Sequence, residues 1–415
     1  MVTLKSFLGM IAAVPFIMAC NQTGQVNATL FPASGSENVN PDTHLVLTFS
    51  ETPVLGDSGM IRVYDAVTDQ VVDSLDLSIP SGPTESRTYG PECDYTKVPY
   101  DYTRTVVPTN KDTRPGTPSG TAEPTPPVYQ LTIIGGFTDA FHFYPVIVRD
   151  SIATIYLHNN MLEYGHTYYV TIDNGVLNLA DGSFQGVTKE DEWTFTTKSD
   201  MPELSDTLIV DATGKGDFNT VQGALDFIPD FNEQQTVILV NPGDYEELVY
   251  TRNKWNVKIK GAGMADTKVH YANNEVFNPH PLTVKTNEWP GTFPSRRAAF
   301  MLDNCKDIVI EDMTIATDLK GQAEGLLING ERIALYRVHI IGSGDALQAN
   351  GTIYMESCEL DGGGDTILGR GSLFAYKSNF RNGGGPFSWV RNTAGNHGNV
   401  FVECTFSTED GKQAD

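Results

Sequence analysis

Basic residues are scarce in this chain. Only 28 Lys and Arg stand against 52 Asp and Glu, a net charge of −24 over 415 residues. A surface of that sign repels phosphate backbones and anionic lipid, which argues against nucleic acid or an acidic membrane face as partner. Cysteine is scarce as well. Beyond Cys20 there are Cys93, Cys305, Cys358 and Cys404, with no spacing that suits a metal ion, so no metal site is expected. They read as buried free thiols, since export permits disulfides without requiring them. The apolar run from Phe7 to Ala19 is too short to span a bilayer. The Gly214-Lys215-Gly216-Asp217 turn lacks the spacing of a phosphate-binding loop.

What is present is a turn-rich, strand-rich chain. It has 39 glycines and a hydrophobic fraction of 40%, enough for two or three folded domains of an all-β protein. The N-terminal segment, residues 1–19, has the form of a signal peptide. Its end, Ile17-Met18-Ala19-Cys20, resembles a bacterial lipobox, which makes Cys20 the expected lipidation site and residues 20–26 a polar tether. An exported lipoprotein anchored through acyl chains, at the outer membrane, is the expectation.

Residues 27–198 carry short alternating runs. Leu45, Leu47 and Phe49 repeat with period two, and Tyr168–Ile172 and Trp193–Thr197 behave alike. Short strands between Gly, Pro, Asp and Asn turns indicate a β-sandwich, one that resembles the bacterial Ig-like domains preceding secreted catalytic domains. Residues 81–127, rich in Pro, Thr and Tyr, read as a long insertion. Its Tyr95, Tyr100 and Tyr102 fit loop packing better than sugar stacking. No acid/base pair or nucleophile arrangement falls in this half, which points to a spacer or carbohydrate-contact module.

From residue 205 to 415 the pattern changes. A strand at Leu208–Val210 precedes a helical stretch from Thr220 to Ile228 whose Val221, Ala224, Leu225 and Ile228 share one face. Strand-like runs then end at Ile315, Ile340, Leu360, Phe380 and Phe406, in steps of 25, 20, 20 and 26 residues. That period, without the Leu/Asn signature of a leucine-rich repeat, is that of a β-solenoid. Asp345 lies five residues past Ile340 and Asp365 five past Leu360, so the two share one phase on adjacent coils. Strand spacing sets equivalent residues about 4.8 Å apart. Two carboxylates that close do not both ionise freely, which leaves one proton-bearing and one anionic group for acid/base and nucleophilic chemistry. Turn capping by the two aspartates, or a calcium ion held between them, is the competing explanation. The glycines before each aspartate are read as room for a substrate to approach the backbone.

The motifs of this half resemble the pectin methylesterase family. They run in order as Thr213-to-Gln222, Gly243-Asp244-Tyr245-Glu246-Glu247, Gln322-Ala323-Glu324-Gly325-Leu326, Gly342-to-Leu347 and Gly362-to-Gly369. The resemblance implies a right-handed parallel β-helix, no cofactor, and hydrolysis of methyl esters of galacturonate in pectin or a pectin-like polysaccharide. It casts Asp365 as the nucleophile, Asp345 as acid/base and Gln322 as oxyanion donor. Three features depart from the family, one being that Ser343 and Thr366 stand where it has Tyr and Phe. Gly344 stands where the family has glutamine, and the Leu-Gly-Arg-Pro-Trp motif does not occur before Asp415. Either the sequence is a fragment or another arginine takes that place, with Arg370 and Arg391 as candidates and Trp389 as a sugar-stacking face. A monomer is expected. An acetyl esterase, a depolymerase on the same scaffold, or a non-catalytic glycan-binding protein are the alternatives.

Overall fold

The computed structural model describes residues 26–83, 129–137, 140–204, 207–278, 295–392 and 394–409. The leader, Cys20, Cys93, the three loop tyrosines and all but the first three residues of 81–127 lie outside the described residues.

The N-terminal half is a two-sheet sandwich. One sheet orders Thr29–Phe31, Leu45–Thr48, Ile152–Ile155 and Val146–Arg149. The other orders Ser36–Val39, Thr194–Thr197, Thr167–Ile172, Met60–Asp65 and Gln70–Asp76. All pairings are antiparallel except Thr194–Thr197 with Ser36–Val39. Period-two alternation places Leu45, Leu47, Ile61, Val63, Val170, Ile172 and Phe195 in the shared core, all essentially inaccessible to solvent. Trp193 sits there with them, its indole N–H donating to the Pro32 carbonyl at 2.8 Å so that no polar atom is stranded.

From Thr207 onward the chain winds into a right-handed parallel β-helix with three sheets, every pairing parallel. The first sheet stacks Ile308, Ile333, Ile353, Leu373 and Asn399 in register. The second stacks Ile315, Ile340, Leu360, Phe380 and Phe406. These are the residues whose spacing announced the repeat. The third stacks Phe300, Leu326, Leu347, Ile367 and Ser388. A single residue with positive φ makes the corner between the first and second sheets on five successive coils: Asp312, Arg337, Ser357, Lys377 and Glu403. A left-handed conformation at non-glycine residues costs energy, and here the ladder hydrogen bonds on both sides enforce it. The apolar interior is one continuous stack from Leu208 to Phe380.

The two halves share a core. Tyr250, Tyr271, Phe277, Met301 and Leu327 of the β-helix pack into the sandwich cluster. Polar contacts at this junction centre on a short helix, Val221–Phe227, with Thr220 as its N-cap accepting from the Gly223 N–H at 2.9 Å. Asp42 of the sandwich accepts from the Asn219 and Thr220 N–H groups at 2.9 and 2.8 Å and from the Thr220 hydroxyl at 2.8 Å. Glu247 accepts from the N–H groups of Val221 and Gln222 at 2.8 and 2.9 Å. These are the donors that a helix N-terminus leaves unpaired, and two carboxylates satisfy them. Among the described residues no helix is long and apolar enough to cross a membrane.

Candidate active site

The turns joining the second sheet to the third carry the residues of interest. Each turn ends two residues before a third-sheet strand, at Leu326, Leu347 and Ile367, which pair in register. Counting back from those pairs places Glu324, Asp345 and Asp365 at one phase on three successive coils. The expected pair of carboxylates is therefore the upper part of a ladder of three. On the following coil the same count back from Ser388 reaches Pro386, after Gly385, and neither carries a carboxylate.

Glycine in these turns has a packing reason that differs from the expected one. A Cβ on Gly344 would come within 2.6 Å of the Gly321 carbonyl oxygen. On Gly363 it would meet the Ser343 oxygen at 2.0 Å, and on Gly364 the Gly344 oxygen at 2.6 Å. The space saved is filled by the neighbouring coil rather than left for a substrate. The Gly364 N–H donates to the Gly344 oxygen, and the Ser343 N–H to the Ala323 oxygen at 3.0 Å, so the turns stack as tightly as the strands. The glutamine typical of the family could not stand at 344 without pushing the turns apart.

Asp345 is nearly inaccessible, at 3% exposure. Burial, then the charge of Glu324 and more weakly that of Asp365, push its carboxyl up to about 7, against the pull of Arg297. Asp365 is half-buried, and burial raises it while the Arg391 and Arg297 charges hold it down. The lower carboxyl of the ladder, Glu324, is fully buried.

Arg297 is the residue that sequence reasoning missed. Its guanidinium lies 2.6 Å from Glu324 and 3.0 Å from Asp345, with Glu275 at 3.8 Å. It also donates to the Gln322 side-chain oxygen at 3.1 Å. Since arginine only donates, that contact fixes the Gln322 carboxamide with its NH₂ as the outward group, at an exposed position beside the ladder. Sequence spacing gave no warning of Arg297. It precedes the solenoid runs used to find the repeat, and the strand pairing Phe300–Leu326 brings it one coil below Gln322 and Glu324.

The two candidate arginines, Arg370 and Arg391, fall to one side. Arg370 is exposed on the coil of Asp365, its side chain donating to the Arg391 carbonyl at 3.1 Å. Arg391 is exposed and reaches Asp365 through its charge. Trp389 is 54% exposed on the strand next to Leu368, so it offers a ring face to solvent rather than packing in the core.

A second cluster, Glu246, His270 and Asp318, has ligand-type atoms within 4.8 Å of one another. Asp318 and Asp244 lie 2.5 and 2.9 Å from the two ring nitrogens of His270, and Arg149 holds Glu246 at 2.5 Å. The charges there are paired among protein groups, and the cluster reads as an ion-pair network across the junction. Cys305, Cys358 and Cys404 are free thiols, the first two buried.

The fold and the ladder define a parallel β-helix protein with a carboxylate site in its turns. Residues 207–382 of the β-helix half match the pectinesterase family model. Pectinesterase QRT1 of Arabidopsis thaliana is 31% identical over 170 residues, covering 39% of this chain and 43% of the relative. Pectinesterase 31 of the same plant is 29% identical over 165 residues, 39% of this chain and 51% of its own length. The chain thus spans about half the length of the curated relatives it matches. Among solved structures, pectin methylesterase from carrot is similar at 20% identity and a TM-score of 0.42, covering 51% of this chain and 66% of that one. Pectin methylesterase PemA from Erwinia chrysanthemi follows at 17% identity and a TM-score of 0.40, covering 51% and 68%.

Proposed function

We propose that this chain hydrolyses methyl esters of galacturonate in pectin or a pectin-like polysaccharide through an aspartyl acyl-enzyme. The observation that carries the proposal is the stack of Asp345 and Asp365 on adjacent coils, one buried against an arginine and a glutamate, the other half-buried at the surface. Asp365, ionised, attacks the ester carbonyl, and the tetrahedral oxyanion accepts hydrogen bonds from the Gln322 NH₂. Asp345 gives its proton to the departing methoxide, which leaves as methanol, and a mixed anhydride links Asp365 to the sugar acid. The Asp345 carboxylate then takes a proton from water as the water attacks the galacturonyl carbon. Free acid leaves, and both aspartates return to their starting states. The exposed ring of Trp389 suits a pyranose face, and Arg391 suits the carboxylates of neighbouring sugars.

The N-terminal features complete the proposal. Residues 1–19 direct export, Cys20 carries the lipid anchor, and the sandwich, in its Ig-like reading, holds the β-helix away from the outer membrane. The enzyme works as a monomer.

One observation favours a second reading, a glycan-binding β-helix without turnover: the packing at Gly344 leaves no room for the family's second glutamine donor. An assay of methanol released from methyl-esterified pectin by the wild type and by Asp365→Asn separates the two. The esterase reading expects a loss of about 10³-fold or more in the variant. No methanol from the wild type, or an equal yield from both, sinks it in favour of binding. Methanol without chain shortening also distinguishes esterase from depolymerase, and acetate in its place identifies an acetyl esterase.

A further inference from the structure

A general acid beside an arginine poses a physical problem. A cation 3.0 Å from a carboxyl favours its ionised form and draws the proton off. Asp345 would then reach the leaving group already empty. Glu324 stands where it resolves this. It occupies the phase of Asp345 one coil below, is fully buried, and lies closer to the guanidinium, at 2.6 Å, than Asp345 does. Its second oxygen is buried without a hydrogen-bond partner, so this carboxylate presses its charge on the interior of the turn stack. The neighbouring charges are Arg297, Glu324, Glu275 and Asp365, with Arg391 beyond Asp365.

We infer that Glu324 and Arg297 act as a charge-balanced positioning pair. Arg297 fixes the orientations of Asp345 and Gln322, and Glu324 absorbs its charge so that Asp345 can still carry the proton it must donate. Neither residue touches the substrate. The inference rests on the proposed esterase reading and adds to it a positioning device: a cation below the acid/base residue, paired with its own counter-ion.

The test is the pH profile of methanol release, which reports the ionisation of the acid. In the wild type the rate should fall as pH rises through about 7, where Asp345 loses its proton. Glu324→Gln leaves Arg297 uncompensated and should move that midpoint down by about one to three pH units. Arg297→Gln should move it up, with loss of turnover from the freed Gln322. Glu324→Asp should restore the wild-type midpoint in part. A structural role alone would lower the rate without shifting the midpoint, or shift both variants in one direction, and either result overturns the inference. If Glu324→Gln does not fold, the direction of the Arg297→Gln shift decides. The failures are distinguishable: unmoved midpoints in an enzyme that Asp365→Asn inactivates remove only the positioning pair. Wild-type release in Asp365→Asn removes the esterase mechanism itself.

Discussion

Two places in this molecule bury carboxylates, and they do so for opposite ends. At the junction of the halves, Asp42 and Glu247 face backbone N–H groups at the start of a helix, neutral donors that the chain itself cannot otherwise satisfy. At the turn stack, Glu324 and Asp345 share one guanidinium, and Asp365 adds its charge from the next coil. Burial raises the carboxyl in both settings, Glu247 to about 7 like Asp345. A perturbed carboxyl is therefore no mark of a catalytic site by itself. The difference lies in the partners. Neutral N–H groups tie an acid into the fold, whereas another acid at strand spacing leaves a proton free to move.

Substitutions at the two places should separate turnover from stability. Gln322→Ala removes the amide aimed outward beside the ladder, and kcat for methanol release should fall about 10²–10³-fold with KM little changed. Its thermal midpoint should stay near that of the wild type, because Gln322 is exposed. A large rise in KM at unchanged kcat would make Gln322 a substrate-binding residue instead. Asp42→Ala should do the reverse. The N–H groups of Asn219 and Thr220 lose their acceptor at a cost of about 1–3 kcal/mol, which lowers the melting temperature by several degrees at unchanged kcat. A matching fall in kcat would show that the sandwich communicates with the turn stack.

Much of the architecture is legible in the sequence because a solenoid writes its geometry as a period. The steps between Ile315, Ile340, Leu360, Phe380 and Phe406 recur in the second sheet's register and again in the positive-φ corners. The same period puts Asp345 and Asp365 on one phase. Glu324 lay in plain view within Gln322-Ala323-Glu324, yet its turn is longer than the next, so counting from Ile315 does not reach its phase. Only the third-sheet pairing of Leu326 with Leu347 does. Arg297 was illegible for a related reason: its partners are set by a coil-to-coil contact across a segment with no repeat of its own. The meaning of the glycines was also hidden, since a residue without a side chain looks alike whether it admits a substrate or a neighbouring coil.

The division of labour between the two aspartates is tested most directly with an activated ester of galacturonic acid, such as the p-nitrophenyl ester, whose leaving group needs no proton. In rapid-mixing experiments Asp345→Asn should release about one equivalent of nitrophenolate per enzyme and then stall, leaving a galacturonyl adduct on Asp365 in the intact mass, because deacylation lacks its base. Asp365→Asn should show neither burst nor adduct. A burst that survives Asp365→Asn would place the nucleophile elsewhere and contradict the account.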